Sequence, residues 1–129
     1  MRLLLDTHVF LWLNTEPERL GDHLTLVENP RHDRLVSAAS SWEIAIKSSI
    51  GRLELPEPVA RWMPARLADI GATPVPVEHA HALAVADLPP HHRDPFDRLL
   101  VAQARMLGVP LLTADQQIAR YDVDILLVG

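Results

Sequence analysis

A helix start is encoded at residues 91–104, HHRDPFDRLLVAQA. Asp94 is a favourable N-cap residue, and Pro95 fits the first position of a helix. The run that follows is rich in strong helix formers and stops at Gly108, a natural C-cap. The sequence therefore predicts a helix over residues 95–107.

Asp97 is expected to point towards the protein core. The residues three, four and seven positions later are Leu100, Val101 and Ala104, which form the apolar stripe of this helix. Arg98 is expected on the opposite, solvent-facing side, together with Ala102 and Arg105. A carboxylate on an inward stripe costs free energy unless a cationic group meets it. The remaining chain should therefore supply a partner for Asp97.

Length and composition favour one domain, residues 1–129. The absence of cysteine excludes disulfides and thiolate metal sites, and it fits a reducing cytoplasm. No apolar run is long enough to span a membrane, so no membrane partner is expected. The net charge of -5 argues against a protein that coats nucleic acid, but it does not exclude an enzyme that acts on it.

Short apolar runs alternate with helical patterns along the chain. The predicted strands are 2–5, 35–37, 73–77, 109–112 and 125–128. The other predicted helices are 8–14, 22–29, 40–50, 56–70, 78–87 and 116–121. Pro64 is expected to kink or divide helix 56–70, and Pro74 and Pro76 confine strand 73–77 to an edge. This alternation predicts an α/β three-layer sandwich with a short, mostly parallel central sheet flanked by helices.

Four acidic residues are predicted at one edge of that sheet. Asp6 directly follows the first strand, and Asp115 follows strand 109–112. Glu43 and Asp97 are expected in the first turns of helices that begin at the same edge. Ligands of open parallel sheets bind beyond the carboxyl ends of the strands, so these acids lie where a site is expected.

Each acid also has an ordinary structural interpretation. Asp6 and Asp115 could cap the helices that follow them, and Asp94 could cap helix 95–107. Glu43 could complete a capping box with Ser40 and form an ion pair with Lys47 four residues later.

A metal site explains the same residues together. Inward-facing Glu43 and Asp97 on separate helices, together with Asp6 at a strand end, would repel one another unless a cation lies between them. Oxygen ligands without cysteine favour Mg²⁺ or Mn²⁺ over Zn²⁺.

Four segments carry more specific motifs: LLLDTH at 3–8, VSAASSWEIAIK at 36–47, LPPHHRDPFDRLL at 88–100 and LLTAD at 111–115. In this order, over nearly the whole chain, they resemble the PIN-domain nucleases and most closely the VapC-type toxins of bacterial toxin–antitoxin pairs. The resemblance implies a PIN-like fold and a metal-dependent endoribonuclease that leaves a 5′-phosphate and a 3′-hydroxyl.

The resemblance also implies roles for individual residues. Asp6, Glu43, Asp97 and Asp115 correspond to the catalytic, metal-binding acids, with Asp94 as a further candidate ligand. Thr7 and Thr113 are candidates to orient Asp6 or a water, and Arg98 and Lys47 are candidates to position the phosphate. The implied partners are an RNA substrate, a cognate antitoxin and a second copy of the chain, in the cytoplasm.

Two other functions compete with this one. A metal-dependent phosphohydrolase acting on another substrate would use the same acids. An aspartyl-phosphate mechanism usually needs a second Asp two residues after the first, and this chain has His8 there. In a non-catalytic PIN-like binding module, the acids would serve only as helix caps.

Overall fold

Five short strands form a parallel sheet in the computed structural model of the chain, which describes residues 1–128. The strands are β1 (Arg2–Leu5), β2 (Asp33–Ser37), β3 (Ala72–Val75), β4 (Leu111–Thr113) and β5 (Ile125–Leu127). Their order is β3-β2-β1-β4-β5, and every neighbouring pair is parallel. β1 is therefore central, and its carboxyl end lies between those of β2 and β4.

Six α-helices connect the strands: α1 (Thr7–Thr15), α2 (His23–Glu28), α3 (Ala38–Ser49), α4 (Val59–Asp69), α5 (His79–Ala84) and α6 (Pro95–Leu107). Short 3-10 turns lie at Pro17–Leu20, Val85–Asp87 and Ile118–Arg120. Within residues 1–128, none of the helices has the length and apolarity needed to cross a bilayer.

The sheet is buried on both faces, which confirms the predicted three-layer sandwich. Successive residues of a strand point to opposite faces. In β1, Leu4 packs with Leu100 of α6, whereas Leu5 packs with Phe10 of α1 and with Ile44 of α3. Two separate apolar cores result, one on each side of the sheet.

Most predicted elements are confirmed, but some details were wrong. α4 continues through Pro64, so the predicted division into two pieces does not occur. Trp62 and Met63, which directly precede Pro64, are buried in the core on one side of the sheet. The predicted helix 116–121 is only a 3-10 turn. β3 lies at the edge of the sheet, as its prolines predicted.

α6 begins as the sequence predicts. The Asp94 carboxylate accepts hydrogen bonds from the backbone N–H groups of Phe96 and Asp97, at 2.8 and 3.2 Å. Gly108 ends the helix with a φ of 66°, in the left-handed region that glycine adopts easily. The predicted solvent side is confirmed for Arg105, which is exposed, but it was wrong for Ala102, which is 1% exposed. The chain around Val85–Leu88 covers part of that side, and its carbonyl groups accept hydrogen bonds from Arg98.

α3 begins three residues earlier than the capping box predicted. Ser37 is its N-cap, and the Ser37 hydroxyl accepts a hydrogen bond from the Ala39 N–H. Ser40 lies inside the helix, where its hydroxyl oxygen accepts a hydrogen bond from Thr7. The predicted capping box is therefore wrong, and Glu43 lies in the second turn with its side chain turned inward.

Candidate metal centre

Asp6 lies at the carboxyl end of the central strand and is 2% exposed. It occupies the N-cap position of α1, but its carboxylate makes no capping hydrogen bond. Oδ2 accepts a hydrogen bond of 2.6 Å from the Thr113 hydroxyl, and Oδ1 is buried without a partner. Burial raises the pKa of Asp6. A capping role therefore does not explain this carboxylate.

Glu43 reaches the same region from α3. Its side chain is 2% exposed, and Oε2 accepts a hydrogen bond from the Lys47 ammonium group one turn later, which confirms the predicted pair. Oε1 is buried and has no hydrogen-bond partner. Lys47 is one-third exposed and lies at the rim of the site.

Asp97 projects from the first turn of α6 towards these acids and is 9% exposed. Burial, together with the negative charges of Asp6, Asp94, Glu43 and Asp115, raises the pKa of Asp97 to about 8. The fold therefore brings five acidic groups from four parts of the chain close enough to interact electrostatically. Near neutral pH, Asp97 holds a proton unless a cation replaces it.

The side chain that contacts Asp97 is that of His92. Its Nε2 lies 3.2 Å from Asp97 Oδ2 and 2.7 Å from Asp115 Oδ2. His91 and His92 are adjacent in the segment 88–100, which contains the start of α6. His91 contacts the Tyr121 ring, and His92 turns into the acidic cluster. Which of the two would do so depends on the loop conformation, so sequence reasoning missed His92.

Asp115 lies at the exposed margin of the cluster. Its Oδ1 accepts a hydrogen bond of 2.8 Å from the Gln117 N–H, which resembles the predicted capping role. Its partial burial raises the pKa of Asp115. Hydrogen bonds from His92 and from the Gln117 backbone outweigh that effect and lower the pKa below its usual value. Asp115 is therefore held as a carboxylate without any metal ion.

The two threonines have different contacts. Thr113 donates to Asp6, and its oxygen also accepts a hydrogen bond of 3.0 Å from the Asp115 N–H, so it links two of the acids. The Thr7 hydroxyl instead donates to Ser40 Oγ at 2.8 Å. Thr7 therefore joins α1 to α3 and does not orient Asp6 through its hydroxyl.

Arg98 does not face a phosphate site. Its guanidinium group donates only to oxygen atoms of the protein: the backbone carbonyls of Val85, Leu88, Pro89 and His92 and the hydroxyl of Tyr121. With these contacts it fastens the loop before α6. These contacts do not support the predicted substrate contact of Arg98, because the protein engages both terminal nitrogens of its guanidinium group.

The donor set fits a hard divalent cation. Two buried carboxylate oxygens, Asp6 Oδ1 and Glu43 Oε1, lack a hydrogen-bond partner, although buried polar atoms in proteins are normally paired. Asp97 supplies a further oxygen. The negative charges of the neighbouring acids disfavour the carboxylate form of Asp97, and a cation would favour it. Mg²⁺ and Mn²⁺ prefer such oxygen ligands.

A parallel α/β sandwich with acidic side chains beyond its central strands has a candidate cation site at the edge where open sheets bind their ligands. Residues 3–124 match the family model described as the PIN domain. The chain therefore belongs to the PIN domain family.

Curated relatives agree with this assignment. Ribonuclease VapC22 of Mycobacterium tuberculosis is 36% identical over 122 residues, which cover 90% of this chain and 88% of VapC22. Ribonuclease VapC16 of the same organism is 46% identical over 64 residues, which cover 50% of this chain and 45% of VapC16. The VapC16 alignment thus spans less than half of that protein.

Solved structures show the same fold. VapBC2 from Rickettsia felis, crystallised with a DNA fragment from its promoter, contains a chain with a TM-score of 0.75 and 13% identity, covering 100% of both chains. DNA-bound VapBC from Salmonella typhimurium gives a TM-score of 0.67 at 14% identity, covering 98% of this chain and 97% of that chain. At these identities the likeness concerns the fold alone.

Proposed function

We propose that this chain is a divalent-metal-dependent endoribonuclease and acts as the toxin of a toxin–antitoxin pair. The observation that carries the proposal is that Asp6, Glu43 and Asp97 lie close enough to interact electrostatically, and that two of their buried oxygens have no hydrogen-bond partner within residues 1–128. Capping explains Asp94 and part of Asp115, but it explains neither Asp6 nor Glu43. The ribonuclease relative VapC22, aligned over most of both chains, supports RNA as the substrate.

In the proposed reaction, the oxygen of a water molecule bonds to phosphorus and the P–O3′ bond breaks. The products are a 5′-phosphate and a 3′-hydroxyl, which takes up a proton. A bound divalent ion would lower the pKa of a water molecule and offset negative charge on the phosphoryl oxygens. Asp6, Glu43 and Asp97 would hold this ion, and the two metals that fit the oxygen donors best are Mg²⁺ and Mn²⁺.

The surrounding residues hold the carboxylates in place. The Thr113 hydroxyl fixes one oxygen of Asp6, and Lys47 fixes one oxygen of Glu43, so the other oxygen of each acid remains available. The exposed part of Lys47 also places positive charge at the rim, where it can attract the RNA backbone. Asp115 remains at the margin, held by His92 and by the Gln117 N–H.

The proposal includes protein partners. The similar chains in the Rickettsia and Salmonella structures come from VapBC complexes, which supports a cognate antitoxin for this chain. We also propose a homodimer in a cytoplasmic setting, where RNA is available. Co-purification with the product of a short neighbouring reading frame, with the mass measured in solution, tests both associations.

Cleavage of structured RNA tests the activity. The purified protein is expected to cut RNA internally when Mg²⁺ or Mn²⁺ is present and to stop when a chelator removes the ion. Gel analysis of end-labelled RNA gives the cleavage positions and end groups. Hydrolysis of p-nitrophenyl phosphate with intact RNA would instead favour a general phosphohydrolase. Intact substrates at every metal concentration would contradict the proposed function.

A further inference from the structure

The acidic cluster contains one side chain for which the proposed reaction has no role, namely His92. It lies on the loop before α6, and its side chain is 14% exposed. Its Nε2 approaches both Asp115 Oδ2, at 2.7 Å, and Asp97 Oδ2, at 3.2 Å. A single ring nitrogen therefore occupies the space between these two carboxylates.

The hydrogen bonds of the ring determine where its proton lies. The backbone N–H of Asp94 donates to His92 Nδ1 at 3.0 Å. A nitrogen that accepts a hydrogen bond carries no proton, so the ring proton is on Nε2. Nε2 is therefore a donor to the carboxylates and has no free lone pair for a metal ion.

This assignment decides between two roles for His92. One ligand atom from each of His92, Asp97 and Asp115 lies within 4.8 Å of the others, a spacing that could also hold a metal ion. Ligation by Nε2 would move the ring proton to Nδ1, directly against the N–H of Asp94. The geometry therefore favours His92 as a hydrogen-bond donor.

The backbone of His92 is fixed as firmly as its ring. Its N–H donates to the Tyr121 hydroxyl at 3.0 Å, and its carbonyl accepts from Arg98 at 3.4 Å. Arg98 also donates to the Tyr121 hydroxyl, at 3.2 Å. The ring therefore cannot leave the space between the two acids without breaking several hydrogen bonds.

We propose that His92 is a positioning residue that keeps Asp97 and Asp115 from sharing a second metal ion, so that the site takes one ion. This inference rests on the proposed function, because it requires the acidic cluster to bind divalent metal. Two-metal hydrolases hold their ions about 3.5–4 Å apart between carboxylates. In this chain the Nε2–H group of His92 lies between Asp97 Oδ2 and Asp115 Oδ2, where a second ion would have to bind.

Calorimetric titration with Mn²⁺ tests the proposal through the number of ions bound per chain. The wild type is expected to bind one ion and His92→Ala to bind two, because the substitution leaves Asp97 and Asp115 without their donor. His92→Gln retains an N–H at the end of its side chain and is expected to bind one. His79→Ala, which removes an exposed histidine on α5, serves as the matched control.

Electron paramagnetic resonance of the bound Mn²⁺ provides a second measurement, since two adjacent ions give a spin-coupled signal that a single ion does not. Should His92→Ala fail to fold, His92→Asn replaces it, because its shorter side chain withdraws the donor from both carboxylates. One bound ion in the folded variant would overturn the inference. Loss of all binding would overturn it too, by showing that His92 is a ligand.

A wild-type protein that binds no Mn²⁺ gives a different result. It would refute the proposed metal-dependent function, and this inference with it. Binding of one ion by both the wild type and His92→Ala would refute the inference alone.

Discussion

Asp6→Asn is expected to lower the rate of RNA cleavage by about a thousandfold or more while the protein remains folded. The substitution preserves the volume of the side chain and can still accept the hydrogen bond from Thr113, but it removes a negative charge from the proposed ion site. Single-turnover cleavage of labelled RNA measures the activity, and circular dichroism checks the fold.

Asp124→Asn is the matched control. Asp124 is exposed and directly precedes β5, and its substitution changes the net charge by the same amount. It should cleave RNA like the wild type. In cells, the wild type expressed alone should slow growth, and Asp6→Asn should not. An Asp6→Asn protein that cleaves RNA at the wild-type rate would contradict the assigned site.

Asp97→Asn is expected to abolish cleavage and, unusually, to stabilise the metal-free protein. The pKa of Asp97 is about 8 in the fold, against 3.8 for a free Asp side chain. Between these values the unfolded chain loses a proton that the folded chain keeps, so the wild-type free energy of unfolding falls as pH rises. An amide has no charged form to disfavour, so the expected gain in the free energy of unfolding at pH 8 is on the order of 5 kcal/mol.

Thermal unfolding in chelator measures this effect. The Tm of Asp97→Asn should exceed that of the wild type by roughly 20 °C at pH 8, and the difference should shrink towards pH 4. Added Mn²⁺ should stabilise the wild type and not the variant. The opposite sign at pH 8, a less stable variant, would mean that Asp97 is well satisfied by its protein neighbours.

The architecture could be predicted because local patterns and the fold agree. The apolar residues of β1 are buried on both faces, as expected for a central parallel strand. Asp94, Pro95 and Gly108 place the ends of α6 correctly, since caps act over a few residues. The start of α3 was misplaced because both Ser37 and Ser40 can cap, and the contact from Thr7 that engages Ser40 comes from a distant segment.

The site could be predicted where helical periodicity alone determines the direction in which a side chain points. Asp97 shares a stripe with Leu100 and Val101, so its inward orientation followed from spacing. Periodicity could not show that a loop would cover Arg98. It also could not show which of two adjacent histidines would reach Asp115, because that depends on contacts between segments more than twenty residues apart.

The central claim is that folding gathers acidic groups whose charges require a divalent ion. Titration of the wild type with Mn²⁺ at pH 7, in two buffers of different ionisation enthalpy, measures both ion binding and proton release. Because the pKa of Asp97 is about 8 without metal, we predict the release of about one proton for each ion bound. No binding, or binding that releases no proton, would contradict the claim.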